Sequence, residues 1–337
     1  MGHGEGPGVG PRMFDISSRR RYHVPANIPS TERHLRMELR SRRLDGPARG
    51  IIMTMLGAVL FSLMPLWVRS VQPPFAPAMV FYRALLGSAT MAVLVLGLPA
   101  YRAQLRELLR RPRLLALLAG MGACMGTSTL FYFLALTHTT VAKALLLSYT
   151  SPIYVAILGP LVLKEPSHRL TWVAVALGLT GIACITEPQH LLTVQSSEAI
   201  GILAGLLSGL GFGGVFLFGR YLAPHVSSLV RVMAGGTVVS LLMLPWMFQT
   251  DLSFLTHNFL WLALLGIVCM AIPFALFFQG QSYIPAQASS LISLLEPVCG
   301  IFIGYLAFGE TLSPLAGLGA ALILISTYLA GRTAGGP

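Results

Sequence analysis

From residue 50 onward the chain alternates between long apolar runs and short polar breaks. Ten runs can be counted, at 50–70, 76–98, 113–136, 140–163, 169–186, 198–220, 226–248, 258–278, 284–308 and 314–332. Each has roughly the 18 to 25 residues a helix needs to cross a hydrocarbon core of about 30 Å. Lipid offers the backbone no hydrogen-bond partners, so runs of this kind predict helices that satisfy their own amides. The breaks carry Gln72-Pro73-Pro74, Arg111-Pro112-Arg113, Glu165-Pro166-Ser167, Glu187-Pro188 and Ser313-Pro314, where proline stops one helix or starts the next. The expected fold class is all-α integral membrane, with ten transmembrane helices.

Composition agrees with the pattern. The 337 residues are 55% apolar and 10% charged, against about 25% charged in soluble domains, and the mean hydropathy is +0.73. The net charge of +11 resembles that of a nucleic-acid binder, yet ten of the 23 basic residues are arginines within the first 49 positions. A basic tail on a membrane domain marks the cytoplasmic side or touches anionic lipid, so the lipid bilayer is an expected partner and nucleic acid is not. Residues 1–49, rich in Gly, Pro and Arg, read as a flexible basic cytoplasmic tail. Within it, 31–44 has a narrow apolar stripe that would let a short helix lie on lipid, the alternative being a solvated charge run. The first apolar run is expected to serve as its own targeting signal.

Lys and Arg in the loops set the orientation. With the tail inside, the inner side also collects Arg102, Arg106, Arg110, Arg111, Arg113, Lys164, Arg169, Arg220 and Arg332, while the outer side holds little beyond Arg69. Both termini are therefore expected in the cytoplasm, with the protein multi-pass in the plasma (inner) membrane. Cys124, Cys184, Cys269 and Cys299 all lie in apolar runs without metal spacing and read as packing residues.

The chain also repeats itself. Ser148, Pro152, Gly159 and Glu165 recur 145 positions later as Ser293, Pro297, Gly304 and Glu310, and Gly57 and Arg83 recur 148 positions later as Gly205 and Arg231. The halves are 50–187 and 198–332, with five spans each. An odd number of spans turns the second copy over in the bilayer, and inverted repeats of this kind build carriers with a site near the midplane.

Residues 142–152 (AKALLLSYTSP) through Leu163-Lys164-Glu165, and 288–297 (ASSLISLLEP) through Phe308-Gly309-Glu310, resemble the paired signatures of EamA-type carriers in the drug/metabolite transporter superfamily. The resemblance covers 50–332 and implies a membrane carrier of small metabolites, amino acids among them, with export the more usual direction. The copies differ. Ser151 stands where the second copy has Glu296, and Lys164 where it has Gly309.

Ionisable groups at membrane depth are costly, which makes each a functional candidate. Glu296, beside Pro297, is a candidate for substrate binding and proton coupling, or else a structural glutamate steadying the kink. Arg83 offers a two-pronged contact to a carboxylate or phosphate, or it snorkels. Its counterpart Arg231 reads as a snorkelling residue that ties helix ends. Lys143, opposite Ala288 in the repeat, would draw an anion to the outer mouth or reach water. Tyr82, Tyr132, Ser148 and Tyr149 complete the substrate-binding set, while Trp67 and Tyr154 fit a belt or packing role as well. Glu165 and Glu310 read as helix caps.

Gly201, Gly205, Gly209 and Gly213 form a flat stripe for close helix approach, either within the bundle or in a homodimer. Gly209, Gly211 and Gly214 fit G-x-G-x-x-G, but no strand or ribose-binding acid accompanies them, so no cofactor is expected. No P-loop appears. His138, His168, His190, His225 and His257 lie near span ends without a metalloprotease pattern, which argues against an enzyme. A secondary carrier of a small polar metabolite is the first reading, and a non-transporting receptor or scaffold the alternative.

Overall fold

The computed structural model describes residues 30–73, 75–186, 198–309 and 311–334, with side chains from Gly46 on. The expectations attached to residues 1–29, the loop 187–197 and Glu310 lie outside the described residues. The chain divides into two units, 1–43 and 44–337. Of the first, the described backbone from Ser30 on is helical.

Helix α1 (Ser30–Ser62) and the short α2 (Met64–Val68) supply a span at Gly46–Val68. Helix thus begins inside the segment expected to be flexible. There follow α3 (Ala76–Gly97), α4 (Pro99–Leu108), α5 (Pro112–His138), α6 (Val141–Ser148), α7 (Ser151–Val162) and α8 (Arg169–Ile185). After the undescribed loop come α9 (Ala199–Leu222), α10 (Ser228–Met247), α11 (Leu252–Gly266), α12 (Ile272–Gly280), α13 (Ala286–Ile292), α14 (Leu295–Phe308) and α15 (Pro314–Ala334). No strand occurs among the described residues.

Nine stretches of described helix are long and apolar enough to cross a bilayer, and the protein is an integral multi-pass membrane protein. The helix α8 is apolar but has 17 residues, a rise of about 25 Å. The amphipathic α4, which the apolar pattern did not single out, occupies the arginine-rich loop; Arg102 donates to the Leu96 carbonyl at 2.6 and 2.9 Å. The eighth expected run is six residues longer at its start, where α11 begins at Leu252 after Asp251, and in its interior α11 and α12 join through a π-turn at Ile267–Ala271. Pro273 cannot donate to the preceding turn, and the wider π-turn accommodates it without ending the helix.

Two expected spans are each broken in the middle. The fourth run splits into α6 and α7 at Tyr149 and Thr150, and the ninth into α13 and α14 at Ser293 and Leu294. Pro152 and Pro297 sit in the first turns of α7 and α14, where a missing N–H costs least. Thr150 Oγ1 donates to the Leu147 carbonyl at 2.5 Å and Ser293 Oγ to that of Ser290 at 2.7 Å, taking up acceptors at the breaks.

The glycine stripe of α9 settles its expected partner as the broken helix of the same chain. A side chain at Gly201 would strike Thr139 and the His138 backbone, at Gly205 Leu147, at Gly209 Thr150 and the Leu147 carbonyl, and at Gly213 Tyr154. Elsewhere α3 packs on α10, α5 on α9 and α8 on α15. At the α8–α15 crossing, Gly181 and Gly319 each present bare Cα to the other's carbonyl, at 2.7 and 2.5 Å from where a Cβ would stand.

Lys164 (φ 57°) and Gly309 (φ 66°) are the described residues in the left-handed region, and they occupy matching repeat positions just past α7 and α14. Glycine suits this conformation and lysine is strained in it. Lys164→Gly should therefore raise stability by about 1 kcal/mol, read as a higher unfolding temperature of the purified protein. An unchanged or lower temperature would show that the lysine side chain compensates for the strain.

Candidate functional site

The end of the bundle at which Gly46 opens the first span is here termed proximal, the other end distal. Proximally the helices close on one another. Gly50 lies against Tyr283, Ile284 and the Gly280 carbonyl, and Gly280 against Thr54 and the Gly50 carbonyl. Beside them the Glu165 carboxylate holds three elements together. It accepts from Arg220 Nε at 2.7 Å and from the Ala286 amide, the first of α13, at 3.0 Å, while Arg220 Nη1 donates to the Gln281 carbonyl at 2.6 Å. The expected capping role of Glu165 is real, but the capped helix is α13 of the other half rather than the next helix in sequence. Gln287 Nε2 donates to Ser167 Oγ at 2.7 Å, and Gln104 Oε1 accepts from Ser227 Oγ at 2.6 Å.

Arg231 belongs to this seal. It is 1% exposed and donates to the Gly219 and Phe278 carbonyls at 2.6 and 2.8 Å, with its guanidinium 5.2 Å from the Phe278 ring centre. It ties the ends of α9 and α12 as expected, but from the interior and not by snorkelling, because two carbonyls near helix ends need donors there.

Distally a cavity of about 320 Å³ opens between α1, α2, α3, α5, α6, α9, α11, α12 and α14. Helical spacing explains which residues reach it. Met125, Ser128, Thr129 and Tyr132 make an i, i+3, i+4, i+7 face of α5, as do Ala76, Met79, Val80 and Arg83 on α3; Leu145, Ser148 and Tyr149 make an i, i+3, i+4 face at the end of α6. Arg83 is fixed one turn from the crossing of α3 and α11, where a Cβ on Gly87 would stand 2.7 Å from the Gly266 carbonyl. Glu296, in the first turn of α14, enters from the second half.

Five of the seven expected site residues therefore share one cavity: Arg83, Tyr132, Ser148, Tyr149 and Glu296. Two do not line it. Tyr82 is 4% exposed and packs edge-on to Phe81, with Phe254 at 6.0 Å, because one residue along a helix turns the side chain about 100° away from Arg83. Lys143 is 5% exposed and ion-paired to Glu198 at 2.7 Å, on the face of α6 turned towards the start of α9. Neither Trp67 nor Tyr154 lines the cavity, and the Tyr154 hydroxyl faces the Leu206 carbonyl at 3.3 Å. The sequence reading missed Met64, Ser128, Thr129, Ser208, Phe212 and Phe274. The polar stripe on α5 was visible in its spacing; the others come together only through tertiary packing.

Within the cavity the Tyr149 hydroxyl and the Glu296 carboxyl stand beside each other. Ser148 Oγ donates to Ser208 Oγ at 3.0 Å and Ser128 Oγ to the Ser208 carbonyl at 2.9 Å, joining α6 and α5 to α9. Arg83 Nη1 points at Met64 Sδ, 3.0 Å away, and its Nε is buried without a partner. A second cleft of about 500 Å³, between α5, α7 and α9, is lined by apolar residues such as Leu117, Leu158 and Phe218 and by no charged residue. Beyond Cys124, Thr127 and Tyr221 its lining is apolar, so the cavity at Arg83, which adds charged groups and several hydroxyls, is the candidate site despite being smaller.

Two proteins named as uncharacterized transporters are similar to this chain. One, from Archaeoglobus fulgidus, is 33% identical over 60% of this chain and 71% of its own length. The other, from Helicobacter pylori, is 29% identical over 83% of this chain and 93% of its own. A crystal structure of 18% sequence identity shares the fold, with a TM-score of 0.70 over 85% of this chain and 98% of the other. The profile described as the EamA-like transporter family matches residues 48–187 and again 199–332.

The placement of Tyr82 and Lys143 has a measurable consequence. Tyr82→Phe and Lys143→Met should leave the apparent affinity for any transported solute unchanged. Lys143→Met should cost about 2 kcal/mol or more of stability, since it removes the ion pair of a mostly buried carboxylate. A selective loss of affinity in Lys143→Met, at normal unfolding temperature, would return that lysine to the binding site.

Proposed function

Because the chain belongs to the EamA-like transporter family, and so is a membrane transporter and not an enzyme, we propose that it is a secondary carrier working by alternating access. Its two halves act as inverted repeats of five spans each, with α8 counted as the fifth. Both termini lie in the cytoplasm and the membrane is the plasma membrane. The cargo is a small polar metabolite, an amino acid being the leading candidate and export the leading direction. The double match of the family profile supports the repeat, as do the matching left-handed residues Lys164 and Gly309 and the packing of α3 on α10 and α8 on α15.

One observation carries the reading. The half-helices α6 and α13 occupy equivalent repeat positions, yet every residue of α13 is buried, whereas in α6 only Lys143 and Ala144 are. Equivalent elements in unequal surroundings are what an inverted-repeat carrier presents when it rests in one of two states, distal side open and proximal side sealed. In the opposite state α6 would be enclosed and α13 would line the path. Energy comes from a gradient, with Glu296 the candidate proton carrier because its carboxyl lies within the cavity beside Tyr149 and Arg83.

Counterflow in proteoliposomes loaded with amino acids, nucleosides, sugars or organic acids checks this. Saturable exchange of one class is expected, and none from folded, correctly inserted protein would overturn the carrier reading in favour of a receptor or scaffold. Glu296→Gln should abolish the effect of a pH gradient while exchange at equal pH persists. A gradient effect that survives the substitution takes Glu296 out of the proton path.

A further inference from the structure

Several polar groups of the cavity already donate within the protein. Ser148 and Ser128 donate to Ser208, Thr129 donates to the Met125 carbonyl at 2.9 Å, and Tyr149 and Glu296 stand beside each other. Arg83 is different. Its guanidinium is permanently charged with five N–H groups, yet Nε has no partner and Nη1 faces only a thioether, a weak acceptor. It makes no ion pair with Glu296, although the two charges interact across the cavity. A half-buried cation whose Nε has no partner and which faces the cavity can take an oxyanion, and a carboxylate matches its fork geometry.

The remaining wall is of another kind. Met64, Met79, Met125, Phe212, Leu265 and Phe274 face the same space. Methionine thioethers and phenylalanine edges pack against flat apolar or aromatic bodies. That part of the wall gives hydroxyl groups nothing to bond, so a hydroxyl of a sugar-like body set against it would lose its water without replacement. Arg83 is the one Lys or Arg among the described residues that line the cavity, and Glu296 stands beside it. A dianion such as a phosphate ester or dicarboxylate would carry an excess charge into a low-dielectric site. The volume of about 320 Å³ is at the small end for ligand pockets and admits one ring with a short side arm.

From this juxtaposition we infer that the substrate is a monocarboxylate with an apolar, ring-sized body, its carboxylate held by Arg83 and its body by the methionine–phenylalanine wall. The inference rests on the carrier reading and narrows it, replacing a generally polar cargo with an amphipathic one. A zwitterion with an apolar side chain falls within the class; sugars, nucleotides and short hydroxy acids fall outside it.

Binding by the purified full-length protein tests it without requiring transport. Isothermal titration would compare 3-phenylpropionate, its uncharged amide 3-phenylpropionamide, and glycerate, which keeps the carboxylate but replaces the ring with hydroxyls. The acid should bind, and the amide and glycerate each about tenfold more weakly or worse. Arg83→Lys keeps the charge but loses the fork; it should weaken the acid several-fold and leave the amide unchanged. An amide that binds as well as the acid overturns the role of Arg83, and glycerate binding as well as the acid overturns that of the wall. Saturable counterflow of another solute class, with none of the three binding, would overturn the substrate class and leave the carrier reading standing.

Discussion

In hydrocarbon a helix can be interrupted only where something other than lipid receives the backbone groups that the interruption frees. The breaks between α6 and α7 and between α13 and α14 meet this requirement within the protein, through Thr150, Ser293 and the close approach of α9. The bare stripe from Gly201 to Gly213 brings the α9 backbone against the first break, with the Leu147 carbonyl 2.7 Å from where a Cβ on Gly209 would stand. Once the broken helices are seated, much else follows. Their facing ends meet inside the bundle, Glu296 arrives in the cavity at the start of α14, and α13 is left with an amide at Ala286 that Glu165 can cap.

That cap links the seal to the site. Glu165 binds Arg220 and the start of α13 together, and α13 is continuous through Ser293 and Leu294 with the turn that carries Glu296. A movement that releases Glu165 from Ala286 would therefore free the helix leading directly to the cavity acid. The pair is partly exposed, at 26% and 18% for the two side chains, so solvent weakens it. A weak latch suits a state that must be left on each cycle, whereas Arg231, fully buried on two carbonyls, suits a fixed joint.

Span positions were legible because lipid imposes one rule on every residue of a crossing helix. The repeat was proposed because matching positions carry matching residues; that Lys164 keeps the conformation glycine adopts at 309 is seen only in the backbone. The cavity was legible in part. Arg83 and Glu296 stood out as charges in apolar runs, but so did Lys143, and nothing local to α6 reveals that position 143 turns to Glu198 while 145, 148 and 149 turn inward. That depends on which face of α6 meets α9, a tertiary fact. Met64 and Phe274 were hidden for the opposite reason, since apolar residues in an apolar run carry no mark until packing selects them.

The central claim is that the enclosed α13 and the open α6 are two phases of one cycle. Ser290 and Leu145 are matching repeat positions, the first with no exposure and the second lining the cavity. In a background free of the four native cysteines, Ser290→Cys and Leu145→Cys would be alkylated with a water-soluble thiol reagent, each with and without Glu165→Gln. The account predicts slow labelling at 290 and fast labelling at 145, with Glu165→Gln speeding the first and slowing the second. Rates that do not respond to Glu165→Gln, or that rise together, would contradict it.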